Sequence, residues 1–566
     1  MIFDNIKKVK SLLGENNVKR FYYLIPLDIL TSLLEIFSIS IIIPFVVAIS
    51  DKEAVLNSQY SKIISQNFES YDEFLIVAAS ALIVILLFST ILSIYSNSKK
   101  ISLANQIGQE VGQIQYKKYL NAEYRFHSNV NKTELTKNLI SEVERFRNNV
   151  LIASLMMISK GFFIIVMLIL MIFISPVISL SLITFLICIY LVIYKVFQIK
   201  LFDNGKQISQ SIAKLYSLSS ESLNGIKETK FYGLETYYFN KFVKSSNAIA
   251  NKTSSSQTIS IIPKSVVELI VFTLLLSVVM YLNINGSLIE SLPLITFFLY
   301  SGYRALPALQ QVYGSAVLIK ANYESVNQIL KFDHLIDTSS KVERLNNNDV
   351  ISEISVKDLN FRFGENKLLF EGFSLDISAP SLVAIVGPSG SGKSTLIDLL
   401  LKLNHPDSGE ILINNNKYIY GDARSLFAYV PQNIYLSDST LLDNIHLGRI
   451  DRPIDNKLVG ESVKLAGLNS WIQGLPEGIN TKIGENGSLM SGGQRKRLGL
   501  ARAFYSEKSV LILDEVTSGL DNDTETSVLN DLKLMSKRKL IILITHNSQN
   551  LALFDKVIDL NLAENV

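Results

Sequence analysis

The stretch LVAIVGPSGSGKSTLIDLL, from Leu382 to Leu400, determines how the rest of the chain is interpreted. Its first five residues are apolar and rich in β-branched side chains, which predicts a buried strand that ends at Gly387. The spacing G-x-x-x-x-G-K-S follows, and apolar residues then recur at the period of a helix. A strand, a glycine-rich loop and a helix in this order predict a phosphate-binding loop.

The residue types of this loop suit a nucleoside triphosphate bound with Mg²⁺. Glycines allow backbone N–H groups to surround the phosphates, and the following helix presents its positive end to them. We expect Lys393 to reach the terminal phosphates and the Ser394 hydroxyl to bind Mg²⁺. The predicted nucleotide contacts from this loop are Gly387, Pro388, Ser389, Gly390, Ser391, Gly392, Lys393, Ser394 and Thr395.

Composition places the first part of the chain in a membrane. With 566 residues the chain is too long for one hydrophobic core, so two or three domains are expected. Hydrophobic residues make up 48% of the chain and charged residues 19%, and the long apolar runs lie within the first 325 positions. The net charge of +3 gives no sign of a nucleic-acid partner. The single cysteine, Cys188, lies in an apolar run, which excludes a disulfide framework and predicts a buried side chain.

Six apolar segments are long enough to cross a bilayer, since a helix needs about 20 residues to do so. Lysines concentrate near the N-terminus and in two long polar segments, so the positive-inside rule places these parts in the cytoplasm. An even number of spans then puts the C-terminal part in the cytoplasm too. Segment 50–73 lies outside, as a solvated connection or with a short amphipathic helix at Tyr60–Phe68. The six segments are 21–49, 74–95, 150–174, 177–197, 261–282 and 292–312, and the polar segments are 96–149 and 198–260.

The pattern changes between residues 326 and 350, which are largely polar and are predicted to form a linker. From Ile351 onward, short apolar strands alternate with helices, which indicates an α/β domain with a largely parallel core sheet. The expected fold is therefore multidomain. A six-helix α-helical transmembrane domain at 1–325 is followed by an α/β P-loop ATPase domain at 351–566.

Four residues outside the loop suit ATP hydrolysis. Asp514 and Glu515 end an apolar strand, and acids at such a position indicate a site because buried carboxylates need partners. We expect Asp514 to bind Mg²⁺ and Glu515 to polarise the attacking water. Gln432 follows a strand and could reach Mg²⁺ or water, although alone it is equally typical of a solvated loop. His546 follows the apolar strand 540–545 and could contact the γ-phosphate.

Two further features concern nucleotide binding. Phe363 is placed to stack on adenine, with core packing as the alternative. The turn at Ser491, Gly492, Gly493 and Gln494 enters a helix and forms a second anion site. Because the chain already has one phosphate loop, this second half-site is expected to serve ATP bound to another copy, which predicts a dimer.

Together these motifs resemble those of ABC transporter half-molecules of the exporter type, over almost the whole chain. Departures from the family pattern are Met490, Gly519 and Asn547, and none removes a catalytic group. The resemblance implies ATP and Mg²⁺ as ligands, a homodimer with two competent sites, and an integral protein of the bacterial inner membrane whose N-terminus and ATPase domain are cytoplasmic. It also implies coupling helices near 126–136 and 225–234. The motifs resemble Walker A (387–394), the Q-loop (Gln432), the X-loop (484–487), the signature (491–494), Walker B (510–514), the D-loop (518–521) and the switch histidine (His546).

The substrate is the least determined feature. Charges inside apolar spans are costly, so they are expected to face a cavity or a partner, and the candidate substrate contacts are Glu35, Lys160, Lys264 and Arg304. Internal pairing is the alternative, as between Lys264 and Glu268. The runs 33–46, 263–269 and 303–307 resemble lipid-linked oligosaccharide flippases of bacterial glycan loci, although Ser89 stands where an arginine is expected. The resemblance implies flipping or export of an amphipathic glycolipid, with a peptide or drug exporter and an ATP-gated channel as alternatives.

Overall fold

The computed structural model describes residues 2–50, 68, 70–284, 288–335, 351–362, 368–417, 423–518, 522–546 and 550–560. The chain divides into two compact units: Met1–Ala122 with Phe126–Thr338, and Ser339–Val566 with Glu123–Arg125. The predicted outer helix, most of the predicted linker and Phe363 lie outside the described residues.

The first unit is helical. A helix covers each of the six apolar segments, and two of these helices are long and apolar enough to cross a membrane by length and composition among the described residues. A third qualifies if the bent pair Ser11–Tyr22 and Ile25–Ser38 counts as one span. The helices are α1 (Ile2–Tyr22), α2 (Ile25–Ser40), α3 (Ile42–Ser50), α4 (Tyr71–Asn121), α5 (Tyr124–Asn129), α6 (Lys132–Ile174, with two π-turns), α7 (Pro176–Asn224), α8 (Ile226–Phe231), α9 (Glu235–Ile284), α10 (Leu288–Asn322) and α11 (Glu324–Leu330).

The first predicted span is broken in two places, and prolines account for both breaks. Pro26 lacks the N–H that would bond to the carbonyl of Tyr22, so α1 ends at Tyr22 and α2 begins at Ile25 after a bend of 45°. Pro44 lacks the N–H that would bond to the carbonyl of Ser40, and the helix is interrupted at Ile41. The apolar segment predicted at 21–49 is therefore helical but interrupted at Tyr23–Leu24 and at Ile41.

A buried ion pair joins two membrane-unit helices. The Lys100 ammonium on α4 donates to the Asp28 carboxylate on α2 at 2.7 Å, and the side chains of Lys100 and Asp28 are 3% and 11% exposed. Ser96 and Ser159 also donate to the same carboxylate oxygen of Asp28, at 2.9 and 3.0 Å. Since the pair has supporting hydrogen bonds, its burial is compensated and it fixes α2 against α4 and α6.

The second unit contains two sheets, and one of them is the parallel core sheet that the α/β pattern predicts. Five parallel strands form a sheet in the order β6-β7-β8-β3-β9, and four antiparallel strands form another in the order β2-β1-β4-β5. The strands are β1 (Glu353–Arg362), β2 (Leu368–Ser378), β3 (Ser381–Val386), β4 (Ser408–Ile413), β5 (Asn416–Lys417), β6 (Phe427–Val430), β7 (Val510–Asp514), β8 (Leu540–Ile544) and β9 (Lys556–Asp559). The helices are α12 (Lys393–Leu400), α13 (Ala423–Leu426), α14 (Leu441–His446), α15 (Asn456–Leu465), α16 (Asn469–Gln473), α17 (Gly492–Tyr505) and α18 (Asn522–Met535).

The parallel sheet determines where the site lies. Every residue of β7 and β8 is buried, which explains their continuous apolar sequences. The carboxyl ends of parallel strands share one edge of a sheet, and ligands of open α/β sheets bind outside that edge. The phosphate loop follows β3, Glu515 follows β7 and His546 follows β8, so the predicted site residues meet at this edge.

Candidate nucleotide site

The phosphate loop connects β3 to α12 through glycines with left-handed backbone. Gly390 and Gly392 have φ angles of 88° and 91°, and Gly392 precedes the first residue of α12. A Cβ atom added to Gly392 would lie 2.8 Å from the ring of Phe370. The loop therefore needs glycine at this position for both its backbone conformation and its close packing.

The polar groups of the loop fit a polyphosphate. Lys393 is buried, and its ammonium donates to the carbonyl oxygens of Gly387 and Pro388, at 2.8 Å each. Among the described residues, no group hydrogen-bonds the buried hydroxyl of Ser391. Phosphate oxygens would accept hydrogen bonds from both groups. They would also neutralise the charge of the buried Lys393 ammonium. The N-terminus of α12 adds its positive end.

The structure brings Glu515, Gln432 and His546 together. The Glu515 carboxylate accepts a hydrogen bond from Gln432 Nε2 at 2.6 Å, and its other oxygen lies 2.8 Å from His546 Nε2. Glu515 has a φ of 52°, a conformation that a residue with a side chain rarely adopts. Strained backbone that is held by several contacts is typical of functional sites. Three residues that are far apart in sequence therefore form one cluster.

Asp514 lies in a more buried environment than its neighbour Glu515. Burial raises the pKa of the Asp514 carboxyl above its usual range, and the negative charge of Glu515 raises it further. One Asp514 oxygen accepts a hydrogen bond from the Tyr429 hydroxyl at 3.4 Å. Such a carboxylate gains most from a bound cation, which fits the predicted Mg²⁺ ligand.

Sequence reasoning missed two residues beside Asp514. Tyr429 lies on β6, next to β7, and burial with nearby carboxylates raises its pKa. Asp398 lies on α12 one turn after Ser394, and burial together with Asp514 raises the pKa of its carboxyl to about 6. The i, i+4 spacing from Ser394 was an available signal for Asp398. For Tyr429 the only signal was its place three residues before Gln432.

The second anion half-site has a well-defined local structure. The Ser491 hydroxyl accepts from the backbone N–H of Gln494 at 3.2 Å, and the Gln494 side chain accepts from the N–H of Ser491 at 2.8 Å. This capping box begins α17, a helix of 14 residues. Within the described part of the chain, no hydrogen bond joins it to the phosphate loop. Its use by another copy remains a prediction.

The predicted substrate residues of the membrane unit fall into two groups. Lys160 lies 3.8 Å from Glu35, and Lys264 lies 3.8 Å from Glu268, so three of the four candidates have a charged partner. Arg304 donates to the Tyr300 hydroxyl at 3.4 Å. In the described ranges no carboxylate pairs with Arg304.

Cys188 is exposed, so the prediction of a buried thiol was wrong. It lies on α7 beside other exposed apolar residues, including Phe185 and Val192, whose exposed fractions are 40% and 62%. Apolar side chains on a membrane helix face lipid as readily as they face a core, so apolarity alone does not predict burial there.

Comparison with protein families matches both units. Residues 28–303 match the family described as ABC transporter transmembrane region, and residues 370–518 match the family described as ABC transporter. Together the two ranges cover most of the chain, and they follow the order of the two predicted domains.

Comparison with individual proteins gives consistent relatives. The chain is 28% identical over 459 residues to an ATP-dependent lipid A-core flippase of Francisella tularensis subsp. holarctica (strain OSU18), covering 78% of this chain and 74% of that protein. It is 30% identical over 370 residues to a probable ABC transporter ATP-binding/permease protein of Haemophilus influenzae, covering 63% and 65%. The fold matches the structure of a bacterial Atm1-family ABC exporter with ATP bound, with a TM-score of 0.73 at 20% identity, over 96% of this chain and 93% of that one.

Proposed function

We propose, from the premise that this chain belongs to the ABC transporter family as a half-molecule with transmembrane and ATPase domains, that it flips or exports a lipid-linked oligosaccharide or a similar amphipathic glycolipid. The chain is an ATP-hydrolysing exporter and an integral membrane protein. The proposal concerns its substrate, its residue roles, its homodimeric state and its orientation in the bacterial inner membrane with the ATPase domain in the cytoplasm.

The roles in hydrolysis follow from the contacts at the sheet edge. Glu515 accepts a proton from the attacking water, and Gln432 and His546 hold its carboxylate in place. Lys393 and the glycine backbone bind the phosphates, and Ser394 and Asp514 are the groups that would hold Mg²⁺. ATP bound here supplies the phosphoryl bond that is broken, with Mg²⁺ neutralising its charge.

The observation that carries the substrate proposal is an apolar cavity among membrane-unit helices that also carry basic side chains. The cavity has a volume of about 430 Å³ and lies among α6, α7, α9 and α10, with Met167, Leu191 and Leu306 in its lining. Arg304 lies on α10, the helix that contributes Gly302 and Ala305 to the lining, but it is not itself a lining residue. A hydrocarbon chain fits such a lining, and a phosphate fits an intramembrane guanidinium that lacks a carboxylate among the described residues.

Two further facts support an amphipathic lipid. Lys160 lies one turn before Ile164, a lining residue, on the same side of α6, and Glu35 lies 3.8 Å from it. Several relatives are named lipid A-core flippases, and a lipid substrate for this chain is in line with those names.

A flipping assay tests the proposal. The purified protein is reconstituted in vesicles with a fluorescent diphosphate-linked glycolipid, and a membrane-impermeant quencher reports which leaflet holds the probe. We expect ATP-dependent movement that Glu515→Gln abolishes and Arg304→Gln reduces, with Lys464→Gln on the exposed surface of α15 as a matched control. ATPase stimulation and transport by peptides, with none by the glycolipid, would instead identify a peptide exporter and overturn the substrate assignment.

A further inference from the structure

A lysine that the motifs do not include connects the second anion half-site to the catalytic glutamate. Lys496 lies on α17, five residues after Ser491. Its ammonium donates to the Glu515 carbonyl oxygen at 3.1 Å, to the Ser518 hydroxyl at 2.6 Å and also to the Ser518 carbonyl oxygen. One side chain of α17 is therefore hydrogen-bonded to both ends of the turn that follows β7, at Glu515 and at Ser518.

This turn contains the strained backbone of the site. Glu515 has a φ of 52°, and its carbonyl oxygen accepts from the Ser518 hydroxyl at 2.9 Å and the Ser518 N–H at 3.2 Å as well as from Lys496. The two Ser518 contacts come from within the turn, whereas Lys496 belongs to a separate helix. A strained conformation persists where its surroundings hold it in place, so the Lys496 contact has a consequence for the glutamate.

The ammonium donates to two backbone carbonyl oxygens and the Ser518 hydroxyl, and among the described residues no hydrogen bond joins it to the Glu515 carboxylate. Gln432 and His546 hold that carboxylate, so the lysine positions the residue without neutralising the group that acts on water. Burial lowers the pKa of Lys496, which indicates that its charge is partly desolvated. A partly desolvated cation with three oxygen partners is a built contact rather than a solvated surface lysine.

We infer that Lys496 is a positioning residue that couples two nucleotide sites. It connects the turn at Ser491, which contacts ATP bound to the second copy, with Glu515, which acts on ATP bound to its own copy. The inference rests on the proposed function, because it requires that the turn at Ser491 contact ATP bound to a second copy. The helix rises about 1.5 Å per residue, so the Lys496 Cα lies only about 7.5 Å along α17 from Ser491. Movement of the helix start when ATP is bound is therefore transmitted through Lys496 to the Glu515 backbone.

Lys496→Met tests the inference because it keeps the aliphatic stem and removes the ammonium. In the full-length protein in lipid nanodiscs, we expect kcat for ATP to fall about tenfold and KM to change less than about twofold, since binding groups are intact. The Hill coefficient for ATP should fall toward one. Lys496→Arg, which can donate to the same oxygens, should recover most of kcat, and Lys464→Met on exposed α15 should leave all three values unchanged.

Protein stability and the premise are checked separately. Trp471 is the only tryptophan and lies in the ATPase unit, so its fluorescence reports unfolding of that unit. Unchanged thermal unfolding of Lys496→Met together with lower kcat supports the positioning role, whereas unfolding at lower temperature in proportion to the lost activity overturns it. A wild-type protein in which ATP and Mg²⁺ bring no two copies together contradicts the two-copy premise, whereas a wild-type Hill coefficient of one contradicts the coupling between the two sites. A cooperative wild type with an unaffected Lys496→Met overturns this inference alone.

Discussion

At the scale of single residues, Glu515 depends on contacts from several parts of the chain. Its carboxylate contacts Gln432 after β6 and His546 after β8, and its carbonyl oxygen contacts Lys496 on α17. A local sequence pattern predicted that Glu515 is a functional acid. It could not predict these contacts, because they depend on how parallel strands align their carboxyl ends at one edge of the sheet.

Replacing Glu515 by glutamine should separate ATP binding from hydrolysis. The amide has nearly the same shape but cannot accept the proton of the attacking water, so ATPase activity should fall by about a hundredfold or more. Binding of a fluorescent ATP analogue should persist, because the phosphate loop is intact. Glu477→Gln at an exposed position is the control. Full activity in Glu515→Gln would show that another group is the base.

Asp398 is expected to make stability depend on pH. Folding raises the pKa of the Asp398 carboxyl to about 6, so the folded protein binds its proton more tightly than the unfolded chain does. The free energy of unfolding therefore falls as the pH rises from about 4, near the ordinary pKa of an aspartate, through about 6. Asp398→Asn should therefore stabilise the ATPase unit at about pH 7, with a gain that shrinks toward about pH 4. Trp471 fluorescence during thermal unfolding, with EDTA and without nucleotide, measures this difference. An equal gain at both pH values would contradict the assignment.

At the scale of elements, contiguous motifs were predictable and contacts between elements were not. The strand, loop and helix around Gly392 follow from local spacing, because all the groups that bind phosphate lie within a few residues. By contrast, the Asp28–Lys100 pair joins residues on α2 and α4; the sequence analysis used Lys100 only as one of the cytoplasmic lysines of segment 96–149 and did not consider Asp28. Pro44 could have predicted the break at Ile41. The average apolarity of a long segment identifies a span but does not show where its helix is interrupted.

Gly392→Ala tests the phosphate loop as an element. The substitution places a Cβ 2.8 Å from the Phe370 ring in a backbone with a φ of 91°, so the loop must deform. We expect binding of a fluorescent ATP analogue to weaken by at least about tenfold. Gly390→Ala has a similar φ but nothing within 4 Å of the added atom, so it isolates the backbone effect and should weaken binding less. Equal losses in both variants would mean that the Phe370 contact is unimportant.

Removing one charge of the buried Asp28–Lys100 pair should destabilise the protein more than removing both charges. Lys100→Met leaves the Asp28 carboxylate buried without its cation, which costs about 3–5 kcal/mol. Adding Asp28→Asn to Lys100→Met should restore much of this stability, since no uncompensated charge remains. Thermal stability of the full chain in detergent, followed by size-exclusion chromatography, measures both variants. A double variant less stable than Lys100→Met would contradict this account.

At the scale of the whole molecule, the second anion half-site, at 491–494, is the feature that predicts a pair of copies. The capping box at Ser491 begins a long helix, and no hydrogen bond within the described residues joins it to the phosphate loop. The two family matches, over residues 28–303 and 370–518, assign the chain to ABC transporters without identifying the cargo. The proposed substrate contacts, such as Arg304, are scattered single residues and form no motif, which is why sequence patterns predicted ATP binding far better than substrate.

Cysteine cross-linking between copies tests the two-copy site most directly. Cys188→Ser removes the only cysteine, and Glu515→Gln blocks hydrolysis. Copies with Ser389→Cys carry one affinity tag, copies with Ser491→Cys carry another, and both positions are exposed. We expect a disulfide between differently tagged copies when ATP and Mg²⁺ are present and little without them. If both thiols react with maleimide but no disulfide joins the two tags with ATP, the nucleotide is not held between two copies and the account is wrong.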